Sequence, residues 1–285
     1  MKPDEQRAPF LLMAHHRSGS NFLNDLLQTH VDIECLNEPL SMHTRLFRDQ
    51  DLALWEARDY DPQMLHPCLA EHPSARAYLF DLRRYLMQSR RGRILGFKDT
   101  CLFGKLGWLQ AFLPGLKIIF LRRDPRAIVS SVLRSKLASF WNYADLVPPV
   151  FAQVCPAYTS QVAANDTALR ATETAAMSVA VRYELARRAL GALEHLTLNL
   201  EDLTRDPLPC LHRLAGFLGV QGDVEQATFL AMRQSETRGG LFSSFRSVDD
   251  VEQTWRRHLS APQLAVIDDV MLAMREVSAA RAQDA

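Results

Sequence analysis

The sequence predicts one α/β domain, a parallel sheet flanked by helices on both faces. Two observations carry that expectation. Short apolar runs that read as strands alternate along the chain with segments of helical period, and twice such a run passes through a polar turn straight into an amphipathic helix. No internal repeat or low-complexity tract interrupts the alternation. At 285 residues the chain can bury a full core. In sheets of this kind functional sites lie at the carboxyl ends of the strands.

Phe10 to Ala14 is too short to span a membrane and reads as a buried strand. It breaks into His15, His16 and the turn Arg17-Ser18-Gly19-Ser20-Asn21, where Ser20 or Asn21 caps a helix with Phe22, Leu23, Leu26 and Leu27 on one face. Ile33, Cys35 and Leu36 form a second strand, ended by Pro39, so that Glu38 lies just past it. Residues 41–72, rich in charge, His and Pro without a period, read as irregular structure with short helices. Ala77, Tyr78, Leu82, Tyr85 and Leu86 place a helix over Ser74 to Arg90, and Ile94 to Phe97 is a strand leading to Lys98-Asp99-Thr100. A short helix, Phe103 to Leu113, closes at Pro114-Gly115.

Leu116 to Leu121 is the strongest strand signal, and Asp124-Pro125 after it is a cap followed by a first-turn proline. The helix that follows turns Ile128, Val129, Val132 and Leu133 to one side. Residues 141–165, with Pro148, Pro149 and Pro156 among aromatics, read as a loop or lid. Thr172 to Leu190 is a long helix and His195 to Leu200 a strand. Asp206-Pro207 caps a helix carrying Leu208, Leu211, Leu214, Phe217 and Leu218, stopped by Gly219. Gly239-Gly240 and Ser243-Ser244 mark a polar loop, and Pro262 opens the last helix.

With 33 basic and 33 acidic residues, no global field recruits nucleic acid or an anionic membrane, so any anion site is local. The N-terminus has acidic residues and no long apolar core, and no run approaches a membrane span; a soluble cytoplasmic protein is expected. Cys35, Cys68, Cys101, Cys155 and Cys210 are odd in number, scattered and without a Cys-x-x-Cys pair, which favours free thiols over disulfides or zinc. Oligomeric state is not legible.

The chemistry concentrates at the first turn. Backbone N–H groups of the loop and the helix N-terminus face one point, Gly19 allows close approach, and Arg17 adds a fixed positive charge. Such a loop suits a phosphate or sulfate. A kinase or NTPase P-loop would need Gly-x-x-x-x-Gly-Lys-Ser/Thr, and this loop has one glycine and no such lysine. His15 and His16 lack a His-Glu-x-x-His pattern and read as loop residues.

Arg17-Ser18-Gly19-Ser20-Asn21-Phe22 resembles the 5′-phosphosulfate loop of the sulfotransferases that use 3′-phosphoadenosine 5′-phosphosulfate. A second motif strengthens the resemblance: a strand running into Arg123-Asp124-Pro125-Arg126, with Ser130 and Ser131 two helical turns on. The likeness spans nearly the whole chain, including Leu198 to Leu208 and Phe217-Leu218-Gly219, where the family's usual tyrosine is replaced by Leu200. Met232 to Arg238 and Trp255-Arg256-Arg257-His258 are similar to bacterial carbohydrate sulfotransferases, including those that sulfate nodulation factors.

The resemblance implies a P-loop-like sheet in one domain, residues 1–285. A unit over 8–30 would bind the 5′-phosphosulfate through Arg17, Ser18, Gly19, Ser20, Asn21 and Phe22, and a unit over 116–137 the 3′-phosphate through Arg123 and Ser131. It further implies Glu38, in Asn37-Glu38-Pro39-Leu40, as general base, and Lys98 as charge stabiliser at the bridging oxygen beside Arg17. Without the resemblance, Lys98 pairs equally well with Asp99. The implied donor needs no metal, and the acceptor is a hydroxyl, of a carbohydrate or glycolipid or else of a small phenol or lipid alcohol. Residues 41–72 and 141–165 are the expected acceptor-site loops. A P-loop kinase or NTPase, and a nucleotide-binding protein without catalysis, remain the rival readings. Arg126 reads as a helix-surface charge and Trp255 as core.

Overall fold

At the centre of the sheet is Phe10–Ala14 (β1), every residue of it buried. The structure is a computed structural model in which residues 8–40, 73–88, 93–135, 143–221, 224–235 and 247–283 are described. Ser20–Gln28 (α1) leads to Ile33–Asn37 (β2). Pro73–Met87 (α2) precedes Ile94–Asp99 (β3), a short 3-10 turn over Phe103–Lys105, and Leu106–Phe112 (α3). Lys117–Arg122 (β4) is followed by Pro125–Ser135 (α4), Tyr143–Val154 (α5) and Thr167–Leu190 (α6). His195–Asn199 (β5), Leu200–Arg205 (α7), Pro207–Leu218 (α8) and Val224–Ser235 (α9) come next. Val248–Glu252 (α10), Thr254–His258 (α11) and Ala261–Gln283 (α12) complete the described chain. The expected order of the five strands stands.

All five strands are parallel, in the order β2-β3-β1-β4-β5. The chain leaves β1 toward the β2 edge and leaves β4 toward the β5 edge. Neighbouring strands whose exits diverge open a crevice between their carboxyl ends, which is where such sheets bind ligands. The loops after β1 and β4 therefore meet.

Alternate side chains of the central strands enter separate cores, as the two-residue period requires. Leu11, Met13, Phe97, Ile118 and Phe120 pack with α2, α3 and the end of α6, while Phe10, Leu12, Ala14, Ile119 and Leu121 pack with α1, α7 and α8. Burial on both faces is why β1 and β4 are continuous apolar runs. A third cluster joins α4, α5, α6 and α12.

Residues 143–154 correct the reading of 141–165 as a loop. Val147, Phe151 and Val154 recur at helical spacing and are buried against α4, α6 and α12, and that packing offsets the helix-breaking tendency of Pro148 and Pro149. Residues 41–72, Cys68 and the Gly239-Gly240 and Ser243-Ser244 segment lie outside the described residues. Cys35, Cys101, Cys155 and Cys210 are free thiols. No helix among the described residues is long and apolar enough to cross a membrane.

Gly96 sits opposite Phe10 in the β1–β3 register, and a Cβ there would lie 2.4 Å from the Phe10 ring. Gly96→Ala should cost about 1–3 kcal/mol through overpacking. Combining it with Phe10→Leu should leave the protein more stable in chemical denaturation than the two single losses sum to. Strict additivity would mean that the two positions do not share that space.

Candidate active site

The first turn is shaped by backbone conformation. Arg17 (φ 69) and Gly19 (φ 84) are both left-handed, and the Ser18 N–H donates to the His15 carbonyl at 3.0 Å. Gly19 is required twice over: by its torsion, and because a Cβ would stand 2.7 Å from Leu200 Cδ2. Leu200, which stands in place of the family's usual tyrosine in the resemblance, is the fully buried backstop of this turn.

The expected cap at Ser20 or Asn21 is corrected. Gly19 is the N-cap of α1, and no side chain caps the first turn. The helical ladder begins with Leu23 N–H to Gly19 C=O at 3.2 Å, so the N–H groups of Ser20, Asn21 and Phe22 precede it and point out of the helix end. A positive helix terminus with donors aimed outward is an anion cradle.

The second turn is locked from several sides. Asp124 caps α4, its Oδ1 accepting from the Arg126 N–H at 2.8 Å, and the Asp124 N–H donates to Glu201 Oε1 at 2.9 Å. The Tyr183 hydroxyl accepts from the Arg123 N–H at 3.0 Å and donates to the Arg123 carbonyl at 2.9 Å. Arg123 Nη1 then donates to the Arg17 carbonyl at 2.9 Å, and Arg17 Nε donates to Ser131 Oγ at 2.9 Å. The two anion-binding turns expected from sequence thus touch through Arg17, Arg123 and Ser131. Ser130 points elsewhere and is buried. Arg126 pairs with Asp268 at 2.7 Å and lies over the Trp255 ring, 5.5 Å from its centroid.

On the other side of β1, Lys98 is the penultimate residue of β3, on the face that meets α1. Its Nζ donates to Asn21 Oδ1 at 2.8 Å, Asn37 Oδ1 at 2.9 Å and Glu38 Oε1 at 2.6 Å. Asp99, one residue on, faces the opposite side of the sheet and caps the Thr100 and Cys101 N–H groups, so Lys98 pairs with Glu38 and not Asp99. Glu38 is itself left-handed (φ 49), and its N–H donates to the Lys98 carbonyl at 2.7 Å. Arg17 and Glu38 are the two non-glycine residues with positive φ among the described residues. Left-handed backbone at a side-chain-bearing residue costs on the order of 1–3 kcal/mol and gathers at functional sites.

Sequence reasoning missed the support beneath the first turn. His15 is fully buried: its Nδ1 bonds the His16 carbonyl at 2.7 Å, and its Nε2 faces Arg182 Nη1 at 3.2 Å. Because a carbonyl only accepts and a guanidinium only donates, Nδ1 carries the proton and the ring is neutral. Burial, and after it the charge of Arg182, holds the His15 pKa well below the ordinary histidine value. Burial also lowers His16, helped by His15, Arg182 and Arg17. Arg182 donates to Ser178 Oγ at 2.8 Å one helical turn back. Polar residues four apart inside the Ala- and Val-rich stretch of α6 were the available signal for this network.

A family model described as "Sulfotransferase family" matches residues 9–224. No curated protein matches the chain by sequence. Among solved structures, the chain is similar to the sulfotransferase domain from the Synechococcus PCC 7002 olefin synthase, with 19% identity, TM-score 0.52, and coverage of 95% of this chain and 96% of that one. It is also similar to the sulfotransferase domain from the curacin biosynthetic pathway, with 15% identity, TM-score 0.55, and coverage of 93% and 97%. At such identities the likeness is one of fold.

The two histidines give the fold a pH dependence. Their folded-state values are depressed, so the unfolded chain takes up protons that the native state refuses. The stability they contribute is complete above the unfolded value of about 6.5 and is lost as pH falls below it. Thermal unfolding should therefore show a falling midpoint from pH 7 to pH 5. His15→Gln, whose amide can still donate and accept, should flatten that slope; an unchanged slope would exclude His15 as its source.

Proposed function

Because the chain belongs to the sulfotransferase family, we propose that it transfers a sulfuryl group from 3′-phosphoadenosine 5′-phosphosulfate to a hydroxyl, most suitably that of a carbohydrate or glycolipid. The observation that carries this reading is the direct contact of two anion-binding turns at the carboxyl ends of β1 and β4, through Arg17, Ser131 and Arg123. A nucleotide with phosphates on both its 3′ and 5′ sides matches two cradles placed side by side. The loop Arg17-Ser18-Gly19-Ser20-Asn21-Phe22 is assigned to the 5′-phosphosulfate, where the outward N–H groups of Ser20, Asn21 and Phe22 and the Arg17 guanidinium meet its charge. Arg123 and Ser131 are assigned to the 3′-phosphate, to which a planar guanidinium can bond bidentately.

Glu38 is the assigned general base. Its carboxylate takes the acceptor's proton as the acceptor oxygen bonds to sulfur and the bond between sulfur and the bridging phosphate oxygen breaks; adenosine 3′,5′-bisphosphate leaves with that electron pair. Positive charge from Arg17 and the helix terminus offsets the negative charge growing on the leaving phosphate. The carbohydrate preference rests on the Asn37-Glu38-Pro39-Leu40 motif and its likeness to carbohydrate sulfotransferases.

Transfer of labelled sulfate to a panel of sugars, glycolipids, phenols and lipid alcohols tests the reading, and calorimetry tests the donor. Tight binding of Mg·ATP with indifference to adenosine 3′,5′-bisphosphate would overturn it. Arg123→Ala and Ser131→Ala should each reduce the preference for adenosine 3′,5′-bisphosphate over adenosine 5′-monophosphate by about 1–3 kcal/mol. Equal losses for the two nucleotides would reject the 3′ assignment. Glu38→Gln should lower kcat by about 10²–10⁴-fold while leaving bisphosphate affinity within a few-fold; turnover at the parent rate would remove Glu38 from the mechanism.

A further inference from the structure

Lys98 has a different position from that of a residue meeting the donor. An ammonium has three N–H donors and no acceptor. In this structure all three are taken, by Asn21 Oδ1, Asn37 Oδ1 and Glu38 Oε1, at 2.6–2.9 Å, and the side chain is 2% exposed. A charge so enclosed reaches a sulfuryl group only by surrendering a bond that holds one of these three partners, at a cost that grows with burial.

The three partners come from three places in the fold. Asn21 stands in the first turn of α1, within the donor loop. Asn37 is the register partner of Lys98 across the β2–β3 ladder. Glu38 follows in a strained left-handed conformation, its backbone N–H fixed to the Lys98 carbonyl at 2.7 Å. One residue therefore grips Glu38 by its backbone and by its carboxylate, and ties both to the loop assigned to the 5′-phosphosulfate.

We propose that Lys98 is a positioning residue, a buried brace that sets the Glu38 carboxylate relative to the donor loop through Asn21 and Asn37, and that it acts on turnover through Glu38 rather than by contact with the transferred group. This rests on the reading of Glu38 as the base. The base must meet the acceptor oxygen while that oxygen lies in line with the sulfur, and misplacement by about 1 Å costs on the order of 10²-fold in rate. A carboxylate one residue past a strand end, on a backbone that favours other conformations, needs such a constraint.

The test is a double-mutant cycle on the full chain, with Lys98→Met, Glu38→Gln and the pair, measured as kcat for labelled sulfate transfer and as affinity for adenosine 3′,5′-bisphosphate by calorimetry. Lys98→Met should lower kcat by about 10²-fold and leave bisphosphate affinity and donor KM within about threefold. In the pair, kcat should equal that of Glu38→Gln alone within about threefold, because a brace has no effect once the base is gone. Multiplying losses would place Lys98 on the donor and overturn the proposal, leaving the base reading intact. A parent-like kcat for Lys98→Met would overturn it in the same way, and a parent-like kcat for Glu38→Gln would overturn both. Should Lys98→Met fail to fold, Asn37→Ala, at an exposed position, serves instead: its smaller loss of kcat should vanish in the Glu38→Gln background, and persistence of that loss would overturn the proposal.

Discussion

The site depends on the junction between the loops after β1 and β4, where Arg17 is held at both ends. Its guanidinium rests on Ser131 Oγ, and its carbonyl receives Nη1 of Arg123. Neither turn has a hydrophobic core of its own. Each supplies the other with hydrogen-bond partners, and both stand where diverging strand exits leave a crevice. A left-handed Arg17 is tolerable because these bonds, and the packing of Gly19 on Leu200, over-determine it.

Helix α6 is the frame behind that junction. Near its middle it carries Ser178 and Arg182, which seat the neutral His15 beneath the first turn, and Tyr183, which clamps the backbone of Arg123 in the second. Glu184, next in sequence, faces the other way and accepts from Arg187, Arg188 and Ser278, fastening α12 to the same helix. Burial pushes the Glu184 pKa up, but the hydrogen bonds from Arg187, Ser278 and Arg188, with the Arg188 charge, outweigh it and draw the value down to about 2. Successive residues of one helix thus brace the site and anchor the last helix. A buried arginine close behind an anion cradle also adds to its positive field, since charges in a low-dielectric interior are weakly screened.

Opposite this frame, Glu38 is set by a strand neighbour. The β2–β3 register puts Asn37 beside Lys98, and the two-residue period puts Lys98 on the face that meets α1, so the ammonium closes a bridge from Glu38, the proposed base, to the loop after β1. Among the described residues, the two non-glycine residues with positive φ, Arg17 and Glu38, are the same two to which the proposed function gives charge and proton transfer.

The order of the strands, the two turns that lead from β1 and β4 into helices, and the position of Glu38 past a strand were legible in the chain, because short-range period, proline and glycine report on local backbone. Of the loop expected over 141–165, residues 143–154 were misread because the burial of Val147, Phe151 and Val154 is a tertiary event that overrides proline's local tendency. The Arg17–Ser131 and Lys98–Glu38 contacts join residues 114 and 60 positions apart, and His15 meets Arg182 across 167. Sequence by itself determined which residues could bind an anion or move a proton. Only the tertiary structure decided which of them touch one another, because strand order and side-chain facing are set by packing across the whole sheet and not by neighbours along the chain.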